Sequence, residues 1–323
     1  ANAVACNNTA TPIAGITTDI DGEARDASTP DMGADEYYIT PLAGTYTIGG
    51  INPDYATIAA AVNDLRITPI DGHIYFNIRD GVYNEQVSIE RIYGASESNT
   101  VTFQPVTGAS VTMTYEPTSS DNYIVQFDDA DYVTFKNMTF TATGTDYGRG
   151  FDFLDGSHYI TIDGDTINGI YTSSFAHFLA VIYSNSGTEN NHVSITNNKI
   201  NNGSYGLYFA GIGTSDFETG NLVSNNEFID FNYSGIYLYC QDSINVNSNN
   251  IYAKSSGGNS SQYGLNVSYT DNSSIFSKNK IRVNATASNY GISLNNCDGT
   301  SGNENQIVKR EFIYRSLTCY FNN

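Results

Sequence analysis

From about residue 122 onward, two short hydrophobic patterns alternate along the chain. The first runs apolar–x–apolar, crosses a polar stretch and closes on another apolar residue. It reads VTFKNMTF (133–140), ITIDGDTI (160–167), VSITNNKI (193–200), LVSNNEF (222–228), INVNSNNI (244–251), SIFSKNKI (274–281) and IVKREF (307–312). The closing residues Phe140, Ile167, Ile200, Phe228, Ile251, Ile281 and Phe312 are 27, 33, 28, 23, 30 and 31 apart. The second pattern is Gly–apolar–x–apolar: GFDF (150–153), GLYF (206–209), GIYL (235–238), GLNV (264–267) and GISL (291–294). One unit lacks its glycine and reads FLAVIY (178–183).

Each apolar–polar alternation of period two is a strand with one buried face. A repeat of 23–33 residues holding two or three such strands has few physical solutions. Stacking equivalent strands at ~4.8 Å per turn buries the apolar face in a continuous core and pairs every backbone group. The pattern therefore predicts an all-β fold, a single-stranded right-handed parallel β-helix, over residues 41–323. Asn197–Asn198, Asn225–Asn226 and Asn249–Asn250 fall near one corner of successive turns, where left-handed backbone and side-chain ladders are expected. Upstream, INPDYATIAAAVNDL (51–65) carries Tyr55, Ile58, Ala59, Val62 and Leu65 at helical spacing. A short helix near 54–65, capped by Asn52, Asp54 or Thr57, would close the open N-terminal end of the stack.

Composition narrows function. The 323 residues carry 14 Lys+Arg and 34 Asp+Glu, a net charge of −20, yet only 15% are charged. The polar share is neutral, with 38 Asn and 29 Gly beside 25 Tyr and no Trp. An acidic surface with few cations repels phosphate backbones, which argues against nucleic-acid binding. No window of ~18 apolar residues occurs, so no membrane span is expected. Cys6, Cys240, Cys297 and Cys319 form no CxxC knuckle. Cys240 and Cys297 are expected two turns apart, beyond disulfide reach, and Cys319 takes an inward apolar position.

The repeats over 41–323, with the entry DYATIAAAV followed by DGVYNEQVSI, resemble the pectin lyase-like parallel β-helices. The segment DIDGEARDASTPDMGADEY (19–37) is similar to the DxDGxxR…PDxGAxE segment that closes many secreted bacterial β-helix modules. Residues 1–40 are accordingly expected to be the closing segment of a preceding module or a linker. The last residues read like the start of another strand, which points to a truncated or continuing solenoid. The resemblance implies a module of a large secreted or bacterial cell-surface protein of Bacteroidetes type, an adhesin whose partners are polysaccharide or cell-surface glycan and neighbouring β-helix modules.

Three residue sets could carry chemistry. β-Helices of this resemblance include polysaccharide lyases and glycoside hydrolases, but no NTD, GHG or RIK motif is present. The densest titratable region offers Asp128, Arg149, Asp152, Asp155 and His158, with Asp155 one turn (27 residues) after Asp128. Paired carboxylates at ~5 Å with an Arg and a His could serve acid–base chemistry, as retaining glycosidases do. The alternative is turn chemistry, with Arg149 and Asp152 as a surface ion pair. Asp242, Asp271 and Asp298 each follow a repeat glycine by seven residues. That column would hold calcium or form Asx turns. No other cofactor is expected. Finally, Tyr208 and Tyr237 stand two residues after repeat glycines, and Tyr205, Tyr263 and Tyr290 stand just before them. Together they predict an outward Tyr/Asn stripe for glycans, against the simpler reading that Tyr favours strands.

Overall fold

The computed structural model describes residues 6–36, 39–185, 187, 189–253, 261–284, 288–297, 305–308, 312–313 and 320–322. Three strands per turn stack into three sheets, and every strand pair is parallel. One turn runs Val133–Lys136 in the first sheet, Thr139–Ala142 in the second and Phe151–Leu154 in the third. The next turn begins at Thr161–Asp163, back in the first. The first sheet has ten strands and the second nine. The third has ten, with Glu218–Thr219 joining Ser234–Asp242 off the main path. Among the described residues no helix is long and apolar enough to cross a membrane.

The core follows the alternation. Phe76, Phe103 and Phe135 stack at 4.8 and 4.7 Å on successive turns. Phe140, Ile167, Ile200, Phe228, Ile251 and Ile281 occupy one column of the second sheet. The column continues through Ile313 and not Phe312, which pairs with Lys280, so the last repeat is one residue out of the expected register. The repeat glycines exist because of this column. A Cβ on Gly206 would lie 2.5 Å from the Phe228 ring, and one on Gly235 or Gly264 would lie 2.4 or 2.3 Å from Ile251 or Ile281. They clear space for the closing apolar residue and are not turn glycines. In the unit without a glycine, Val181 holds that position, and its side chain fits because Gly169 and Gly203 have none.

Turn chemistry concentrates where the first sheet passes to the second. Asn137, Gly164, Asn197, Asn225, Ser248 and Lys278 all adopt left-handed φ between 58° and 72°. The next residue of each turn points inward, and four of these are Asn198, Asn226, Asn249 and Asn279. Each backbone N–H of the first three donates to the Oδ1 of the next turn at 2.9–3.0 Å. Each Nδ2 donates to a carbonyl of the turn before at 2.7–3.0 Å. The ladder was expected, but Asn249 and not Asn250 is its member in that turn. Asp165 occupies the same column one turn above Asn198.

The helix spans Ile58–Ile67, starting later than 54, with Thr57 as its N-cap. The Thr57 hydroxyl accepts from Ala60 N–H at 3.0 Å, and Glu85 accepts from Ile58 and Ala59 N–H at 3.3 and 2.8 Å. Its buried residues Ile58, Ala61, Val62 and Leu65 join the core. In the N-terminal segment the motif residues bond one another. Asp19 accepts from the N–H groups of Asp21, Glu23 and Glu36, and Arg25 donates to the Asp31 and Gly33 carbonyls. Glu36 accepts from Asp26 and Asp31 N–H and pairs with Arg25 at 3.6 Å.

Candidate functional site

The third sheet turns Phe151 and Phe153 into the core, so Asp152 between them faces out. Register extends that outward position into one column along the solenoid: Ser88, Gln126, Asp152, Tyr183, Tyr208, Tyr237, Asn266 and Ser293. Its character changes along the axis. Ser88 Oγ donates to Gln126 Oε1 at 3.1 Å, and Gln126 Nε2 donates to Asp152 Oδ2 at 3.0 Å. Arg149 Nη1 donates to the other Asp152 oxygen at 2.9 Å, while its Cζ lies 3.4 Å above the Tyr183 ring. From there the column is aromatic, with Tyr183–Tyr208 and Tyr208–Tyr237 stacked at 5.2 and 4.5 Å.

A second aromatic row runs beside the first. Tyr205–Tyr233, Tyr233–Tyr263 and Tyr263–Tyr290 have ring centroids 5.3, 5.3 and 4.7 Å apart. The segment 171–179 lies across both rows near Arg149. Asn122, Ser204 and Asn232 hold it by donating to the carbonyls of Phe178, Ala176 and Ser174. It brings His177 to 5.7 Å from Tyr183 and 5.6 Å from Tyr208, Phe178 to Tyr147, and Phe175 to Tyr233.

Burial sets the electrostatics. It pushes the Asp152 carboxyl up, against the opposing pull of Arg149 and Gln126. Burial, with the Arg149 charge adding to it, pushes His177 down and favours a neutral ring. Tyr205, Tyr208, Tyr237 and Tyr263 are all raised, chiefly by burial, so their hydroxyls stay neutral donors at ordinary pH. Arg149 Nε is buried with no hydrogen-bond partner among the described residues.

The structure therefore joins Arg149 to Asp152, but the pair is mostly buried, with side chains 13% and 11% exposed, and is not the expected surface ion pair. Asp128 pairs in register with Leu154. Asp155 lies one residue further, past the strand end, at φ 43°. Burial and the neighbouring Asp155 both raise the Asp128 carboxyl. His158 is held elsewhere: its Nδ1 accepts from Asn191 N–H and its own N–H donates to Asp131. Asp242 and Asp271 are register partners on adjacent turns, and Asp242 accepts from the Ser243 hydroxyl and the Asn272 amide. Asp298 and Cys319 lie outside the described residues; among the described residues no disulfide joins Cys240 and Cys297, and the Cys297 thiol donates to the Val267 and Asn295 carbonyls at 3.7 and 3.4 Å. Among the described residues no group of three or more His, Cys, Asp or Glu is placed to hold a metal.

Tyr205, Tyr208, Tyr237, Tyr263 and Tyr290 share the outer face of the third sheet. Sequence reasoning missed Gln126, His177, Tyr183 and Tyr233. Tyr183 was legible in principle, because it stands two residues after Val181, the stand-in for the absent glycine. It also missed a corner stack, Tyr132–Tyr159–His192, with centroids 4.5 and 4.7 Å apart.

No family model and no curated protein matches the sequence. Several solved structures are similar. The Dettilon tailspike protein is 11% identical at a TM-score of 0.44, over 78% of this chain and 59% of the tailspike. The pectin methylesterase from Aspergillus niger is 15% identical at 0.49, over 88% of this chain and 94% of the esterase. The GH136 lacto-N-biosidase from Eubacterium ramulus is 9% identical at 0.48, over 79% of this chain and 56% of the biosidase. The chain thus spans less than two thirds of the tailspike and of the biosidase. The fold assignment rests on the sheet topology and not on these similarities.

Proposed function

We propose that the chain is a non-catalytic structural and adhesive β-helix module that contacts glycans through the outer face of its third sheet. The observation that carries this reading is the pair of aromatic rows, Tyr183–Tyr208–Tyr237 and Tyr205–Tyr233–Tyr263–Tyr290, on a rigid backbone. Tyrosine supplies apolar area and a hydroxyl at little entropic cost, and a solenoid repeats both along one axis. The module is displayed outside the cell, as part of a larger surface protein of the Bacteroidetes adhesin type. The segment 19–37, which resembles the closing segment of secreted bacterial β-helix modules, supports that reading. Titrating candidate glycans against the wild type and a Tyr208→Ala/Tyr237→Ala variant tests the face. Equal affinity for both would refute it.

A second reading, a polysaccharide lyase or glycoside hydrolase, is favoured by one observation. Asp152 is a buried carboxyl whose pKa burial raises, beside Arg149 and in register with Tyr183, on which His177 stacks, an arrangement typical of acid–base residues. Against it, both Asp152 oxygens are already engaged, by Arg149 and Gln126. New unsaturated or reducing ends, lost in Asp152→Asn or Arg149→Ala, would establish it.

A further inference from the structure

The outer face of the third sheet changes at one step. On Ser234–Asp242 the outward positions are Tyr237 and Tyr239. On Gln262–Asp271 they become Asn266 and Ser268, and on Asn289–Asn295 they become Ser293 and Asn295. The backbone does not sink to follow, because Leu265, Val267, Ile292 and Leu294 keep the core filled beneath. A trough of about 270 Å³ results, lined by Tyr263, Asn266, Ser268, Tyr290, Ser293 and Asn295. Tyr263 and Tyr290, stacked at 4.7 Å with planes 8° apart, form its side wall. Tyr237 ends the stack begun by Tyr183, so its other face looks along the column over Asn266.

Two properties separate this trough from the rest of the surface. Elsewhere, outward polar side chains on adjacent turns satisfy one another. Gln104 donates to Asn77 at 2.9 Å, Thr196 to Asp163 at 2.7 Å, Asn201 to Asn168 at 2.8 Å and Ser224 to Asn247 at 2.9 Å. In the trough, the register partners Asn266–Ser293 and Ser268–Asn295 make no such hydrogen bond to one another. The trough is also lined by no charged residue in a chain of net charge −20.

We propose that this trough binds one unit of an uncharged glycan, a proposal that rests on the glycan-binding reading above. Two amides and two hydroxyls both donate and accept, as neutral sugar hydroxyls require. Tyrosine rings supply the apolar contact. A uronate or sulfated sugar needs a cation; none lines the trough, and among the described residues the Arg149 guanidinium of this face is several turns away and already paired with Asp152. The protein's net charge further repels an anionic polymer.

Neutral glucan, mannan and galactan oligosaccharides, together with polygalacturonate and alginate, would be titrated at low and high salt. The proteins are the wild type, Asn266→Ala/Ser293→Ala, Tyr208→Ala and, on the first sheet, Tyr75→Ala. Far-UV circular dichroism confirms the fold of each. We expect a neutral glycan to bind with no salt dependence. Loss of two hydrogen bonds should weaken it at least about tenfold in the double variant, and Tyr75→Ala should leave it unchanged. Binding of anionic glycans alone, weakened by salt, overturns the ligand class while leaving glycan binding intact. Neutral binding indifferent to Asn266→Ala/Ser293→Ala but lost in Tyr208→Ala overturns the site alone. Binding of none of these probes overturns the glycan-binding reading itself.

Discussion

Replacing Asp165 by Asn should stabilise the protein at neutral pH. Asp165 heads the internal asparagine ladder: its Oδ1 accepts from Met138 N–H at 2.6 Å and its own N–H donates to Asn198 at 2.8 Å. Its Oδ2 is buried without a hydrogen-bond partner among the described residues. In the three turns below, that position is an amide donating to a carbonyl of the preceding turn and to the next Oδ1. An oxygen there faces acceptors, unless it carries a proton. Burial accordingly holds the carboxyl well above its ordinary 3.8. The unfolded chain ionises first, so the stability of the wild type at this site is complete below pH ~4 and is lost as pH rises toward the folded value. Removing one buried unsatisfied oxygen and adding a donor is worth about 1–3 kcal/mol. The melting temperature of Asp165→Asn should therefore exceed that of the wild type by several degrees at pH 7. The difference should shrink toward zero near pH 4. Paired thermal melts across that range measure it. A destabilised Asp165→Asn, or a difference independent of pH, would refute the assignment of Asp165 as a protonated ladder member.

Gly235→Ala places a methyl 2.4 Å from Ile251 and 2.9 Å from the Gly264 carbonyl. It should cost about 1–3 kcal/mol by overpacking in denaturant titrations, whereas Gly213→Ala, with nothing within 4 Å, should be neutral. Thr57→Ala removes the hydroxyl that accepts from Ala60; a loss of about 1 kcal/mol is expected, read as a lower denaturation midpoint. Arg149→Met strands a mostly buried carboxylate and should cost about 3–5 kcal/mol at neutral pH. Adding Asp152→Asn should recover much of it, and a double variant no better than Arg149→Met would show that the ion pair is not the cause.

Much of the fold was legible because period-two alternation and turn spacing are local properties of the chain. The column Phe140 to Ile281 and the ladder residues Asn198 and Asn226 follow from them, while helical spacing narrowed the cap to Asn52, Asp54 or Thr57, of which Thr57 serves. What failed was register within variable turns. Ser248 takes the left-handed corner that Asn197 and Asn225 fill elsewhere, so the ladder member of the pair Asn249–Asn250 is its first residue, whereas in the other two pairs it is the second. A 27-residue count likewise aligned Asp128 with Asp155, but the strands pair Asp128 with Leu154, because the corner absorbs the extra residue. The outward Tyr stripe was visible in its spacing, but His177 reaches it from the segment 171–179, which has no counterpart in neighbouring turns. Such a contact leaves no periodic trace. Nor does spacing reveal that rings 4.5 and 5.2 Å apart cover one another's faces, leaving open the one at the end of the stack, Tyr237.

The most direct test incubates the wild-type protein with a polysaccharide panel and scores each sample twice, for retention of the protein on the polymer and for new reducing or unsaturated ends. The adhesive reading predicts retention that depends on Tyr208 and Tyr237, with no new ends. New ends that accumulate with time and vanish in Asp152→Asn would contradict it and make Arg149–Asp152 the working centre of the molecule.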